Sequence, residues 1–369
     1  MNKSIFSLIL ISLIMSTTDA FSQKTDVNHV EWKTAAQLQN PDGSLSLGFA
    51  GAINGVSNDV LLVTGGANFP DKMPWEGGKK SYSKTIHLLE KCGDKYSWIK
   101  VVKTELPESI AYCGTTTTDL GVVYVGGENE NGLSNKSYIL KWNAAKKEVE
   151  IKSLPNFPFA IANIALTQID NVVYAVGGDE ATKSSDYFAS LDLNDTNSEW
   201  KALPKLPLAL ANSVVIAQKG QNGIGIYVVG GRTKTASGIS DLHHTTFVFD
   251  VKTQQWKNAA AISDGKNTTN FSAGAGVAVG KHSIVIVGGD NGAIFHQIET
   301  YLSQIAQAES PEQKTELIAK KNKLVTNHPG FYSGILLYNT LTDQWKKIGE
   351  LPFLPHVTTP AVLWDKKII

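Results

Sequence analysis

The chain has 369 residues, 42% of them apolar, and 34 acidic side chains against 34 basic ones, a profile that fits one large or two ordinary globular units. Zero formal net charge with no basic run argues against a nucleic acid or an anionic membrane surface as partner. Two cysteines, Cys92 and Cys113, lack the CxxC or Cys/His spacing of a zinc site, so no metal and no cofactor is expected; they form one bridge or remain two thiols.

At the N-terminus, Lys3 precedes an apolar run from Ile5 to Met15, too short to span a bilayer. The stretch STTDAFSQ then places Ala20 and Ser22 at the small-residue positions of a cleavage site. This predicts a signal peptide over residues 1–22, a mature chain of 23–369 in a periplasmic or extracellular space, and no membrane contact after cleavage.

Downstream, one short phrase recurs: LLVTGG, VVYVGG, VVYAVGG, IYVVGG and IVIVGG, each a β-branched or aromatic run closed by a diglycine. The diglycines begin at 65, 126, 177, 230 and 288, spacings of 61, 51, 53 and 58 residues. Ahead of each copy lies a strand-like stretch, in order LGFAGAING, SIAYCGTTTTD, AIANIALTQID, ALANSVVIAQK and SAGAGVAVG. Behind each lies a third strand and then a fourth, four of them carrying a tryptophan, as in SWIKVVKTELP, EWKALPKLP, QWKNAAAIS and QWKKIGELP; Val149 takes that place in the second repeat. A period near fifty residues with four strands per repeat predicts an all-β fold, a kelch-type β-propeller. The glycines suit a sharp turn where the second strand approaches its neighbour and a Cβ would obstruct.

Five diglycines mark five second strands, yet a sixth fourth strand is visible in EWKTAAQLQNP around Trp32 and a sixth first strand in LPHVTTPAVLWD. The expectation is therefore six blades, the sixth split across the termini and incomplete at the C-terminus, with KKII (366–369) opening its second strand. Between Gly289 and the strand FYSGILLYN, IFHQIETYLSQIAQA and SPEQKTELIAKKNKLV show helical periodicity, the latter opening with Ser310, Pro311 and Gln313 as a cap. A helical insertion is expected over about 292–330, in blade five. A second departure is the Gly/Pro-rich loop 67–83, bearing Trp75, Glu76, Lys79, Lys80 and Tyr82.

In an up-and-down blade the end of strand two and the start of strand one lie at the same end of the sheet. Residues after the diglycines (Ala67, Glu128, Asp179, Arg232, Asp290), those opening inner strands (Tyr112, Asn163, Asn212) and both insertions thus surround one mouth of the ring. For any single residue, turn capping is the simpler role; for the whole mouth under a helical lid, a small-molecule site is expected. The candidate substrate-binding residues are Lys80, Tyr82, Glu128, Asn163, Asn212 and Arg232.

LGFAGAINGVSNDVLLVTGGANFP, then GGKKSYSKTIHLL, then VGGENENG, resembles the sialic acid mutarotase (N-acetylneuraminate epimerase) family, in a cyclically permuted branch where these blades come first. The resemblance implies a secreted six-bladed kelch propeller that interconverts the α and β anomers of free N-acetylneuraminate, with a sugar acid as its small-molecule partner. It also implies a glutamate base and an arginine partner just after the second strand of the split blade. Those positions fall beyond Ile369, so the catalytic residues are unknown and turnover by this chain is in question.

A sialidase is excluded by its need for three arginines, since Arg232 stands alone. A copper oxidase is disfavoured because His243 and His244 are adjacent in a strand and face opposite sides. The remaining alternative is a non-enzymatic sugar-binding or protein-interaction propeller.

Overall fold

In each repeat a β-rich run pairs antiparallel with the next, so that four consecutive strands make one sheet, with the second strand buried along most of its length. The computed structural model describes residues 30–40, 42–100 and 102–369; the predicted signal peptide lies outside the described residues. Blade one comprises Ala50–Ser57, Val60–Asn68, Ile86–Cys92 and Lys95–Trp98, with the two-residue strand Ser81–Tyr82 added on the end of its second strand. Blade two comprises Gly114–Thr118, Gly121–Val125, Ser137–Asn143 and Glu148–Leu154; blade three, Ala165–Ile169, Val172–Val176, Phe188–Asp192 and Lys201–Ala202. Blade four comprises Val214–Gly220, Gly223–Val229, Thr246–Asp250 and Gln255–Ala259; blade five, Ser272–Val279, Ser283–Asp290, Gly334–Asn339 and Gln344–Glu350. The fold is an all-β propeller with few helices.

Three recurring contacts join the blades. The fourth-strand tryptophans donate their indole N–H to a backbone carbonyl of the preceding segment: Trp98 to Gln37, Trp200 to Pro155, Trp256 to Pro204 and Trp345 to Ala260, at 2.8–3.0 Å. In blade two, Val149 fills this place by its backbone, whose N–H donates to Thr104 Oγ1 at 3.1 Å. The diglycines form the second contact. A Cβ on Gly126, Gly177 or Gly230 would lie 2.0–2.3 Å from a carbonyl oxygen of the next blade (Ile161, Leu210 and Phe271), and the backbone φ of all three is near +60°. The glycine that follows each donates its N–H to that same carbonyl at 2.8 Å.

The third contact is a closed ring of backbone hydrogen bonds around the axis. Tyr112 N–H donates to Gly51 O, Asn163 to Tyr112, Asn212 to Asn163, Ala273 to Asn212, Thr358 to Ala273 and Gly51 to Thr358, at 2.7–3.0 Å. All six residues have φ between 53° and 63°. They are the third residues of the triplets FAG, IAY, IAN, LAN, FSA and HVT, each at or shortly before the start of an inner strand.

The ring has six members, but the blades among the described residues number five, which corrects the expectation of six. At the sixth position Leu363–Trp364 and Lys367–Ile368 pair as a two-stranded sheet, and residues 30–38 around Trp32 form no strand. A fourth strand needs a third to pair with, and none stands beside that hairpin among the described residues. Residues from both segments instead line a largely aliphatic cavity of about 930 Å³, walled also by Val279, Val285 and Ile335. The hairpin docks through Trp364, 4% exposed, which packs with Leu61 and Leu89 of blade one and donates to Asp59 Oδ1 at 2.8 Å. The Lys91–Asp365 ion pair and the Lys367–Asp94 pair at 3.6 Å flank it.

Two helices, α1 (Phe295–Ala306) and α2 (Pro311–Thr326), lie between the second and third strands of blade five. Ser310 Oγ accepts from Gln313 N–H at 3.1 Å and Pro311 opens α2, while the Gln313 side chain accepts from Glu309 N–H at 3.0 Å, one residue earlier than in a regular capping box. Helix α1 is fixed to a blade-four loop: Glu299 accepts from Ser240 N–H and Oγ at 2.7 and 2.8 Å, and His296 Nε2 meets Ser240 O at 2.8 Å.

Candidate functional site

The backbone ring is the floor of a cavity of about 500 Å³ at the mouth where the diglycine turns emerge. Its polar wall comes from Lys80, Tyr112, Glu128, Asn163, Asn212, Arg232, Ser272 and Asp290; Phe295 of α1, Phe331 and Leu242 supply apolar surface. Side chains arrive there by two local rules. A residue that follows a diglycine projects from the end of a second strand, which places Glu128, Arg232 and Asp290. A ring residue in the left-handed conformation turns its side chain out of the strand alternation toward the axis, which places Tyr112, Asn163 and Asn212.

Five of the six residues expected from the sequence therefore meet in one cavity: Lys80, Glu128, Asn163, Asn212 and Arg232. Tyr82 stands behind them. Its hydroxyl donates to Glu128 Oε1 at 2.9 Å, and Lys80 Nζ donates to the same oxygen at 3.0 Å. The Lys80 ammonium lies 5.0 Å from the Tyr112 ring centroid and 5.6 Å from that of Tyr82. Burial opposes its charge, but Glu128 and the two tyrosines outweigh that and lift its pKa above the usual lysine value. Burial raises the Tyr82 and Tyr112 phenols as well, the former further through its bond to Glu128.

Arg232 is likewise engaged. Its Nη2 donates to Asp179 Oδ2 at 2.5 Å across the boundary between blades three and four. Asp179 also accepts from Asn163 Nδ2 and Ser184 Oγ, both at 3.0 Å, with Lys234 Nζ 3.7 Å away. Asp290 differs from these two carboxylates. It is buried, accepts from Gly292 N–H at 2.7 Å, and makes no ion pair among the described residues. Burial pushes its pKa above the usual aspartate value, against the opposing pull of the Gly292 bond and of His328 and His296.

The sequence reading places Tyr112 and Asp290 at the mouth without naming them as substrate-binding, and does not place Ser272 or Thr358 there. The triplet alignment carries the signal for Tyr112 and Thr358, and the post-diglycine rule carries it for Asp290. Cys92 and Cys113 are not bonded to each other: Cys92 is exposed, and the Cys113 thiol donates to Gly126 O at 3.2 Å with its pKa raised by burial. His243 and His244 lie outside any strand, just after Asp241–Leu242; His243 Nε2 meets Thr233 Oγ1 at 2.8 Å. Among the described residues no group of three potential ligands is arranged to hold a metal ion.

Blades around a hydrogen-bonded ring, with a polar cavity of small-molecule size over it, define a propeller with a cavity at one mouth. The chain belongs to the N-acetylneuraminate epimerase family, whose model matches residues 13–151 and 154–369. The chain is 39% identical over 129 residues to N-acetylneuraminate epimerase of Vibrio cholerae, covering 32% of each chain. It is 34% identical over 123 residues to the Haemophilus influenzae protein of the same name, again 32% of each. The chain thus spans about a third of the length of these curated relatives in the matched segments. The solved structure of YjhT shares the fold, with a TM-score of 0.57 over 87% of this chain and 89% of that one at 14% identity.

Proposed function

We propose that this chain interconverts the α and β anomers of N-acetylneuraminate, an isomerase reaction carried out in the mouth cavity. The observation that carries the reading is the cavity itself, in a chain that belongs to the epimerase family: two cations, Lys80 and Arg232, face it together with Asn163 and Asn212. A sugar acid presents one carboxylate and many hydroxyls, which that set of donors matches. The cavity volume falls in the range of about 300–1,000 Å³ usual for small-molecule sites. Mutarotation asks little more of the protein than proton transfer at the anomeric hydroxyl and the ring oxygen. The test is proton NMR of anomer exchange with and without the protein; exchange no faster than the spontaneous rate overturns the assignment.

Binding without turnover is the second reading. Pairing of Lys80 with Glu128 and of Arg232 with Asp179 favours it, because both cations are compensated before any ligand arrives. Calorimetric binding with no acceleration of exchange decides for it.

We also read the blades as kelch-type, on the diglycine and tryptophan pattern, and the protein as secreted to the periplasm, on the Lys3, Ile5 to Met15 and Ala20/Ser22 pattern. N-terminal sequencing of the native protein is expected to begin near Gln23; an intact Met1 overturns the secretion reading.

A further inference from the structure

Asp290 and Ser272 stand as partners across the blade-five ladder, and both line the mouth cavity. Asp290 is 7% exposed; its Oδ1 accepts from Gly292 N–H, and no cation pairs with it among the described residues. The Ser272 hydroxyl is buried and has no hydrogen-bond partner among the described residues, a cost that a ligand group reaching it would relieve. Around this pair the wall turns apolar, through Phe295, Phe331 and Leu242. Each of the three adjoins the turn that carries Asp290. Phe295 lies on the chain just after Gly292, the N–H of Tyr332 next to Phe331 donates to Gly289 O at 3.0 Å, and a Cβ on Gly292 would lie 3.4 Å from Leu242 Cδ2.

This corner lies opposite a cationic one. In the ring of backbone hydrogen bonds, Ala273, which follows Ser272, stands three places from Tyr112, whose ring centroid is 5.0 Å from the Lys80 ammonium. An acceptor, a donor and apolar surface in one corner match one functional group. An acetamido group carries an N–H that donates, a carbonyl that accepts and a methyl that needs no polar partner. Sugar hydroxyls also donate, but they bring no apolar surface, and a ligand carboxylate placed there would face another carboxyl group. In N-acetylneuraminate the carbon bearing the acetamido group and the anomeric carbon bearing the carboxylate lie across the pyranose ring from each other, as the two corners lie across the cavity.

We propose that this corner is a specificity site for the acetamido group: Asp290 accepts its N–H, Ser272 donates to its carbonyl, and its methyl packs against Phe295 and Phe331. This deepens the reading of N-acetylneuraminate as the ligand and rests on it. Asp290 binds and orients here and moves no proton of the reaction. The helical insertion gains a part in selection, because the bonds of Glu299 and His296 to Ser240 hold α1, and Phe295 with it, at the cavity.

The experiment uses calorimetry to compare N-acetylneuraminate with the analogue that carries a hydroxyl in place of the acetamido group, on the full chain and on Phe295→Ala and Asp290→Asn. Anomer exchange is followed by NMR and folding by thermal melting. Asp290→Asn keeps an oxygen for the Gly292 N–H but turns an NH2 toward the ligand N–H. The full chain is expected to bind N-acetylneuraminate about tenfold more tightly than the hydroxyl analogue, or better, the worth of one hydrogen bond with a methyl contact. Each variant should fold and shrink that ratio about fivefold; the ratio is the readout because general damage to the cavity lowers both affinities together. A second measurement needs no variant: in saturation-transfer NMR with the full chain, the acetyl methyl protons should receive more saturation than the ring protons. Equal affinities for the two sugars, a ratio that either folded variant leaves unchanged, or saturation weaker at the methyl than on the ring overturns the acetamido site while the mutarotase reading stands. Binding with the expected ratio but no accelerated exchange overturns turnover and keeps the site. Absence of binding of both sugars overturns both.

Discussion

Asp179 and Arg232, 53 residues apart, follow the diglycines of neighbouring blades and pair side chain to side chain, with the carboxylate 3% exposed and the guanidinium 14%. The pair closes the seam between blades three and four beside the cavity, so the single arginine of the chain joins two blades as well as lining the cavity. Removing one member of a buried pair costs about 3–5 kcal/mol, because the other charge stays behind uncompensated. Arg232→Ala is expected to lower stability by an amount at the low end of that range, since Lys234, Asn163 and Ser184 remain near Asp179. Chemical denaturation measures it; a change below about 1 kcal/mol would show that the pair behaves as a surface one.

Lys80 and Glu128 are about one third exposed, so their bridge contributes about 0–1 kcal/mol to folding. Lys80→Ala should therefore melt close to the parent chain. It is expected to weaken N-acetylneuraminate binding roughly tenfold, the worth of one charge-assisted hydrogen bond, as read by calorimetry.

Asp290 links the site to stability in the opposite direction. Its folded-state pKa is raised, so the folded protein holds its proton more tightly than the unfolded chain does, and folding is penalised as pH rises past the ordinary aspartate value and through the raised one. Asp290→Asn is expected to melt higher than the parent at neutral pH, with the gap closing as pH is lowered toward the ordinary aspartate range. An equal gap at both ends of a pH series of melting curves would contradict this origin.

The diglycine turns offer a paired comparison. Gly230 and Gly238 both have positive φ, but a Cβ on Gly230 would lie 2.0 Å from Phe271 O, whereas around Gly238 nothing lies within 4 Å. Gly238→Ala should cost about 1–2 kcal/mol, the left-handed penalty alone. Gly230→Ala must also push two blades apart and should cost clearly more, or fail to fold. Similar denaturation midpoints for the two variants would remove close approach as the reason for the repeat.

The tryptophans give a second comparison. Trp345 is 6% exposed and bonded to Ala260 O, and its truncation to alanine should cost about 3–5 kcal/mol. Trp32 is 37% exposed and packs edge-on to Phe353, so Trp32→Ala should cost much less. The sequence aligns these two residues as equivalents, and denaturation midpoints tell them apart.

What the amino-acid order determined by itself is whatever depends on a few neighbouring residues. Strand alternation, a diglycine where only glycine can turn against a carbonyl, and, in four of the five repeats, a tryptophan two strands later are local demands; they made the blade legible, and with it the end of each blade from which Glu128, Asn163, Asn212 and Arg232 project. Tertiary structure decided what depends on ring closure. The sequence offers strand-like segments for part of a sixth blade, yet with no third strand beside them among the described residues the stretch around Trp32 forms no strand and five four-stranded blades are present there. Charge compensation was equally hidden: Lys80 finds Glu128 across 48 residues and Arg232 finds Asp179 across 53, through blade packing that no local pattern encodes. That packing leaves Asp290, which follows its diglycine as Glu128 and Asp179 do, without an ion pair among the described residues, because only the assembled ring fixes which charges come within reach of one another.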